Sequence, residues 1–119
     1  RRQSKFLLSA MSSLVLSSSA FASSANDEAE TRFKTFCSTC HGPQGKGDGP
    51  AGQALNPKPA NFSDPSFHSS RTDDQLAKVI LEGGAAVGKS PVMPPNPQYK
   101  SKPEIIKALV AKVRSFKGK

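Results

Sequence analysis

Two cysteines and a histidine stand together in Cys37-Ser38-Thr39-Cys40-His41. The C-x-x-C-H form sets two thiols three positions apart, on one side of a helical turn, with an imidazole directly after them. Thiols so spaced reach the two vinyl groups on one edge of a porphyrin. The next residue then lies under the metal, where an imidazole nitrogen binds as the proximal ligand. The pattern predicts one covalently attached haem c, held by Cys37 and Cys40, with His41 as an axial ligand of its iron.

Other uses of paired cysteines fit less well. A thioredoxin-like pair follows a strand in a βαβ unit, whereas the segment before Cys37 reads as a helix. A structural zinc site wants four ligands, and outside the motif the chain has one histidine, His68, and no cysteine. A disulfide across two intervening residues would add little to a chain of this size.

A second axial ligand must come from the other face of the iron. The chain has two methionines, Met11 and Met93, and Met11 falls in a predicted export signal. Met93 is therefore the thioether left to the mature protein, in Pro91-Val92-Met93-Pro94-Pro95, where prolines stiffen the backbone. His68 is the rival ligand, in a polar Phe67-His68-Ser69-Ser70 turn where solvent exposure is expected. His/Met ligation raises the reduction potential over two imidazoles, and filling both positions leaves no open site for substrate. The expectation is electron transfer, not an enzyme.

The amino terminus reads as a cleavable signal over residues 1–22, with 25 as the second choice of end. Arg1, Arg2 and Lys5 form a positive n-region, Phe6 to Leu16 an apolar stretch, and Ala20-Phe21-Ala22 a small-x-small cleavage site. The apolar stretch is shorter than the ~20 residues of a membrane span, so no stable membrane insertion is expected after cleavage. Residues 23–119 then form one domain. Without Arg1, Arg2 and Lys5 the seventeen Lys and Arg fall to fourteen against nine Asp and Glu, a net +5. The positive residues are not interleaved with aromatics, which argues against nucleic acid. A moderate positive field suits brief docking on acidic protein partners.

Three segments carry helical signatures, and no strand is predicted. In the first, Ala29, Phe33, Phe36, Cys37 and Cys40 line one face, with Asn26 as N-cap. In the second, Thr72-Asp73-Asp74-Gln75 is a capping box before Leu76, Val79 and Ile80, and Gly83 ends the helix in the left-handed conformation. In the third, Ser101-Lys102-Pro103-Glu104 is a capping box before Ile106, Leu109, Val110, Val113 and Phe116. Between them run loops rich in the chain's ten prolines and nine glycines, Gly42–Pro65 and Gly83–Pro97; wrapping a flat cofactor would explain their length. Tryptophan is absent, so a buried porphyrin would supply the apolar centre of a thin core.

Gly83 to Ser90 matches the phosphate-loop pattern G-x-x-x-x-G-K-[ST]. That motif needs a strand before it and a helix after it. A capped helix precedes it here and prolines follow, so nucleotide binding is rejected. The Asn61-Phe62-Ser63 sequon is set aside because the signal has a bacterial form.

These features together resemble the class I c-type cytochromes, soluble single-haem electron carriers. The resemblance spans about Asp27 to Lys119. It rests on Cys37-Ser38-Thr39-Cys40-His41-Gly42, Gly45-Lys46-Gly47-Asp48-Gly49-Pro50, Pro57-Lys58-Pro59-Ala60-Asn61-Phe62 and Ser90-Pro91-Val92-Met93-Pro94-Pro95. It implies a small all-α cytochrome c fold, three or more helices and long loops wrapped around the haem, the first and last helices crossing beside it. Phe33 matches the usual aromatic of the first helix, and Ala29 sits where a small residue allows close approach. The family often has an aromatic in the last helix where Lys112 stands here, so the corresponding contact is expected from Phe116. A proline carbonyl commonly orients the ligating imidazole, with Pro57 and Pro59 the candidates.

The expected function is a monomeric, diffusible electron shuttle of the bacterial periplasm. It would exchange electrons with redox donors and acceptors through a haem edge ringed by lysines such as Lys46 and Lys89. The alternatives are a cytochrome subunit of a larger periplasmic dehydrogenase or oxidase complex, and a haem sensor that loosens Met93 to bind a small ligand.

Overall fold

Serine and alanine dominate Ser17–Ala25, which holds neither glycine nor proline, so nothing interrupts helix propagation there. In the structure, a computed structural model that describes residues 17–119, helix α1 runs from Ser17 to Arg32. Most of the predicted signal, Arg1 to Leu16 with Met11, lies outside the described residues. Helix α1 passes through Ala20-Phe21-Ala22 without a break, and Asn26, the expected N-cap, is an exposed residue inside it. A capping side chain acts only where the backbone enters a helix from extended geometry, and Asn26 is not at such a point.

A π-helical turn, Phe33–Cys37, follows directly and hands the chain to the short helix α2, Ser38–His41. The long loop beyond it carries one 3-10 turn, Pro50–Gly52. The expected polar turn around His68 is instead helix α3, Pro65–Ser69, started by Asp64, whose carboxylate accepts the Ser66 N–H at 2.9 Å, and by Pro65 in its first turn.

Helix α4, Asp73–Glu82, begins with the predicted capping box: the Gln75 N–H donates to Thr72 Oγ1 at 3.1 Å and the Thr72 N–H to Gln75 Oε1 at 2.9 Å. Gly83 ends it at φ 85°, ψ 169°. That backbone is open to glycine alone, but it is not the left-handed helical state expected.

Helix α5, Pro103–Ser115, starts at Lys102, with no side-chain cap; the capping box expected at Ser101 does not form. A proline disfavours helical geometry in the residue before it. Lys102 therefore stays outside at φ −128°, ψ 64°, and the helix begins one residue late for Ser101 to cap it.

No strand occurs among the described residues, and the fold is all-α. Helix α5 packs against both α1 and α4. Its buried stripe, Ile105, Ile106, Leu109, Val110 and Val113, includes one more residue than the periodicity predicted. Ala29 is 2% exposed and lets α1 approach closely, while Phe33 meets Phe116 with ring centroids 5.2 Å apart. Full burial of a side chain such as Phe33 or Leu109 stabilises by about 1.5–3 kcal/mol. The α1–α5 contact thus fixes the platform from which the motif projects.

Candidate haem site

An unbroken α-helix would put Ala29, Phe33, Phe36, Cys37 and Cys40 on one face. The π turn changes this. The Ser38 N–H reaches back five residues to the Phe33 carbonyl, which inserts one residue into the helical register. Phe36 is consequently swung outward and is 56% exposed, against the expectation that it faces inward. Phe33 stays buried, and Cys37 and Cys40 are both partly buried free thiols. Burial raises the Cys37 thiol above its ordinary value of 9.0, with the Arg32 charge pulling the other way. The thiol is thus held protonated at neutral pH.

His41 is the last residue of α2 and is partly buried. Its Nδ1 lies 3.2 Å from the Ala60 carbonyl. A carbonyl only accepts, so Nδ1 carries the proton and donates, which leaves the Nε2 lone pair free for a metal. Desolvation lowers the imidazole's pKa, and the Ala60 carbonyl partly offsets this. The neutral, ligating form is favoured. The orienting carbonyl belongs to Ala60 and to neither Pro57 nor Pro59, which corrects the expectation. Phe62 stacks on the imidazole, centroids 4.5 Å apart.

The glycine-rich loop closes over the motif's backbone. The Gly47 N–H donates to the His41 carbonyl at 2.7 Å and the Gly49 N–H to the Cys40 carbonyl at 3.0 Å. A side chain on Gly49 would collide with the Ser38 and Thr39 carbonyls, so only glycine lets the loop lie this close. The Phe62 N–H then bonds the Gly45 carbonyl at 2.6 Å, returning the chain to the His41 ring.

Met93 is half-buried on the Gly83–Pro97 loop. Its N–H donates to the Ser90 carbonyl at 3.3 Å, and its carbonyl accepts the Gly84 N–H at 3.0 Å. The phosphate-loop lookalike preceding it folds as a 3-10 turn, Ala85–Val87, after helix α4 and with no helix behind it. The context for binding phosphate is missing.

His68 departs from expectation. It is 7% exposed, not solvated, with Nε2 at 2.6 Å from the Phe62 carbonyl and Nδ1 at 3.2 Å from Arg114 Nη1. Because the carbonyl accepts and the guanidinium donates, Nε2 bears the proton and both ring nitrogens are engaged. The sequence hid this because Arg114 stands 46 residues downstream. Two further residues at the site were missed as well: Arg32, the last residue of α1, and Asn96, which it bonds at 2.9 Å. The one local hint was asparagine between two prolines, Pro95 and Pro97.

Among the described residues no three His, Cys, Asp or Glu side chains gather around a metal site of their own. The donors at the motif are two thiols and one imidazole beside a loop of backbone groups. The sequence profile of the Cytochrome c family matches residues 27–117. The chain belongs to this family. No curated protein is significantly similar to it.

Members of the Cytochrome c family bind haem c covalently, with iron, and typically carry electrons rather than catalyse a reaction. This cytochrome therefore takes haem c and works with redox partners. The residues present fit the group: free thiols on one turn and a neutral imidazole whose second nitrogen is already held. No helix among the described residues is long and apolar enough to cross a membrane.

Proposed function

We propose that this cytochrome is an exported, single-haem electron carrier of the periplasm, with Cys37 and Cys40 as the thioether anchors and His41 and Met93 as the axial ligands. The observation that carries the reading is the bond from His41 Nδ1 to the Ala60 carbonyl, one residue after the paired thiols. It fixes the tautomer and the ring plane that an axial ligand needs. The engagement of both His68 nitrogens supports Met93 as the other ligand.

When bound, the iron porphyrin supplies a one-electron ferrous–ferric couple. Cys37 and Cys40 would hold its edge through their sulfurs, and His41 and the soft sulfur of Met93 would hold the iron. A thioether favours the reduced state more than a second imidazole does, which raises the potential. Exposed Lys46 and Lys89, with the net +5 of residues 23–119, steer the molecule to acidic partners and raise the on-rate.

Export rests on the Arg1–Ala22 signal pattern, with cleavage after Ala22 leaving Ala25, Ala29 and Phe33 to pack on α5. Amino-terminal sequencing of material matured in a bacterial host checks this. For the haem, one reduced-minus-oxidised spectrum with acid–acetone extraction is decisive. Colour that stays with the protein, and a weak red band that disappears in Met93→Ala, are expected. Extractable haem, or a band indifferent to Met93, would overturn the reading.

A further inference from the structure

Asn96 is 7% exposed, and every polar group it has is bonded. Its Nδ2 donates to the Ile80 carbonyl at 2.7 Å and its Oδ1 accepts from Arg32 Nε at 2.9 Å. Its N–H donates to the Leu81 carbonyl at 2.9 Å, and its own carbonyl accepts the Tyr99 N–H at 3.1 Å. The amide orientation is unambiguous, because a carbonyl only accepts and a guanidinium only donates. One side chain thus joins the end of α4 to the end of α1.

The position of this junction matters. Arg32 is the residue before the π turn that leads to Cys37, and its guanidinium lies 3.8 Å over the Phe36 ring. Asn96 follows Met93 by three residues, with Pro94 and Pro95 between them. Two consecutive prolines have fixed φ angles and make that stretch a stiff strap. The strap's other end is tied to the turn just beyond α4, where the Gly84 N–H bonds the Met93 carbonyl. Gly84 has no room for a side chain, which would strike the Ser90 carbonyl. Met93 is therefore held from behind by the turn after α4, and from ahead by Asn96, which bonds α4 at Ile80 and Leu81 and the end of α1 at Arg32.

We propose that Arg32 and Asn96 are a positioning pair that locks the Met93 strap to the end of α1, from which the π turn leads directly to Cys37, Cys40 and His41. The pair sets how firmly the thioether competes with outside ligands for the iron. This rests on the reading of Met93 as an axial ligand. Neither residue is among the proposed iron ligands. Each acts by denying the strap the outward movement that would free the sulfur.

The test is a titration of the ferric holoprotein with imidazole, following loss of the red thioether band, together with the reduction potential. Arg32→Met and Asn96→Ala should each bind imidazole at least tenfold more tightly than the parent, equivalent to about 1.4 kcal/mol, and should lower the potential. Arg32→Lys, which can still donate to Oδ1, should recover part of the loss. Lys112→Ala, which loosens the α1–α5 contact without touching the strap, should lower the melting temperature but keep the parental imidazole affinity. Parental affinity in both Arg32→Met and Asn96→Ala overturns the proposal; so does a Lys112→Ala effect as large as theirs. If Asn96→Ala yields no folded holoprotein, Arg32→Met, at a half-buried helix end, decides alone. A parent without the red band, or one whose imidazole affinity is unchanged by Met93→Ala, overturns the ligation reading itself and the proposal with it.

Discussion

The imidazole of His41 lies against the Phe62 ring, with centroids 4.5 Å apart and planes 20° from parallel. Phe62 is held on both sides of its own backbone, its N–H by the Gly45 carbonyl and its carbonyl by His68 Nε2, each at 2.6 Å. These bonds anchor the backbone of Phe62, and its ring also meets Phe67 at 5.1 Å in a tilted contact. With Phe62 6% exposed, Phe62→Ala leaves a cavity next to the His41 imidazole. A loss of about 3–5 kcal/mol is expected, and a smaller one for Phe62→Leu. Denaturant unfolding of the holoproteins measures both. Stability unchanged in Phe62→Ala would mean that the stacked ring supports nothing.

Gly49 offers a test that separates crowding from backbone conformation. Its φ of −63° and ψ of 149° suit any residue, so Gly49→Ala introduces no dihedral strain. The new methyl group would instead meet the Ser38 and Thr39 carbonyls inside the attachment motif. Overpacking of this kind costs roughly 1–3 kcal/mol and shifts backbone, here the turn that spaces Cys37 from Cys40. The fraction of chains with covalent haem, read by haem absorbance per polypeptide, should fall severalfold. Ala51→Gly, at an exposed neighbouring position, should leave it unchanged.

What could be read from the chain and what could not divide along physical lines. The haem c was legible because porphyrin chemistry fixes the C-x-x-C-H spacing. The caps of α4 were legible because Thr72 and Gln75 act within one turn. The π turn was not, since inserting one residue into the hydrogen-bond ladder leaves no mark on composition, and Phe36 was assigned to the wrong face for that reason. Ala60 was invisible because a backbone carbonyl has no side-chain signature. His68 and Asn96 were missed because Arg114 and Arg32, their decisive partners, lie 46 and 64 residues away. Non-local polar pairs of this kind are formed by the fold and cannot be inferred from local pattern.

Lys112 on α5 sits beside Phe116, the residue expected to supply the aromatic contact of the last helix. Its Nζ lies 5.1 Å from the Phe116 ring and 5.6 Å from Phe33, and it bonds Glu30 at 2.9 Å. The Glu30 side chain is 60% exposed, so the ion pair itself contributes little. Glu30→Gln should cost less than about 1 kcal/mol, and the difference should shrink as salt is added. Lys112→Ala should cost more than Glu30→Gln, because it also strips the aliphatic stem from two aromatic rings. Thermal unfolding at low and high salt distinguishes the two contributions. Equal losses that vanish together in salt would show that the stem packs against nothing of consequence.

Acid stability should depend on Asp64 in a definite direction. Its carboxylate accepts the Ser66 backbone N–H at 2.9 Å, and this bond, aided by the neighbouring Ser66 hydroxyl, holds its pKa below the ordinary 3.8. A carboxyl whose folded pKa is depressed stabilises fully above its unfolded value, and that contribution is lost as pH falls through the folded value. Asparagine caps helices as well as aspartate does but carries no charge. Asp64→Asn should therefore nearly match the parent at neutral pH and show a shallower decline below about pH 4. Urea midpoints measured across that range give the comparison. Curves that stay parallel down to about pH 3 would rule out Asp64 as a contributor to the acid limb.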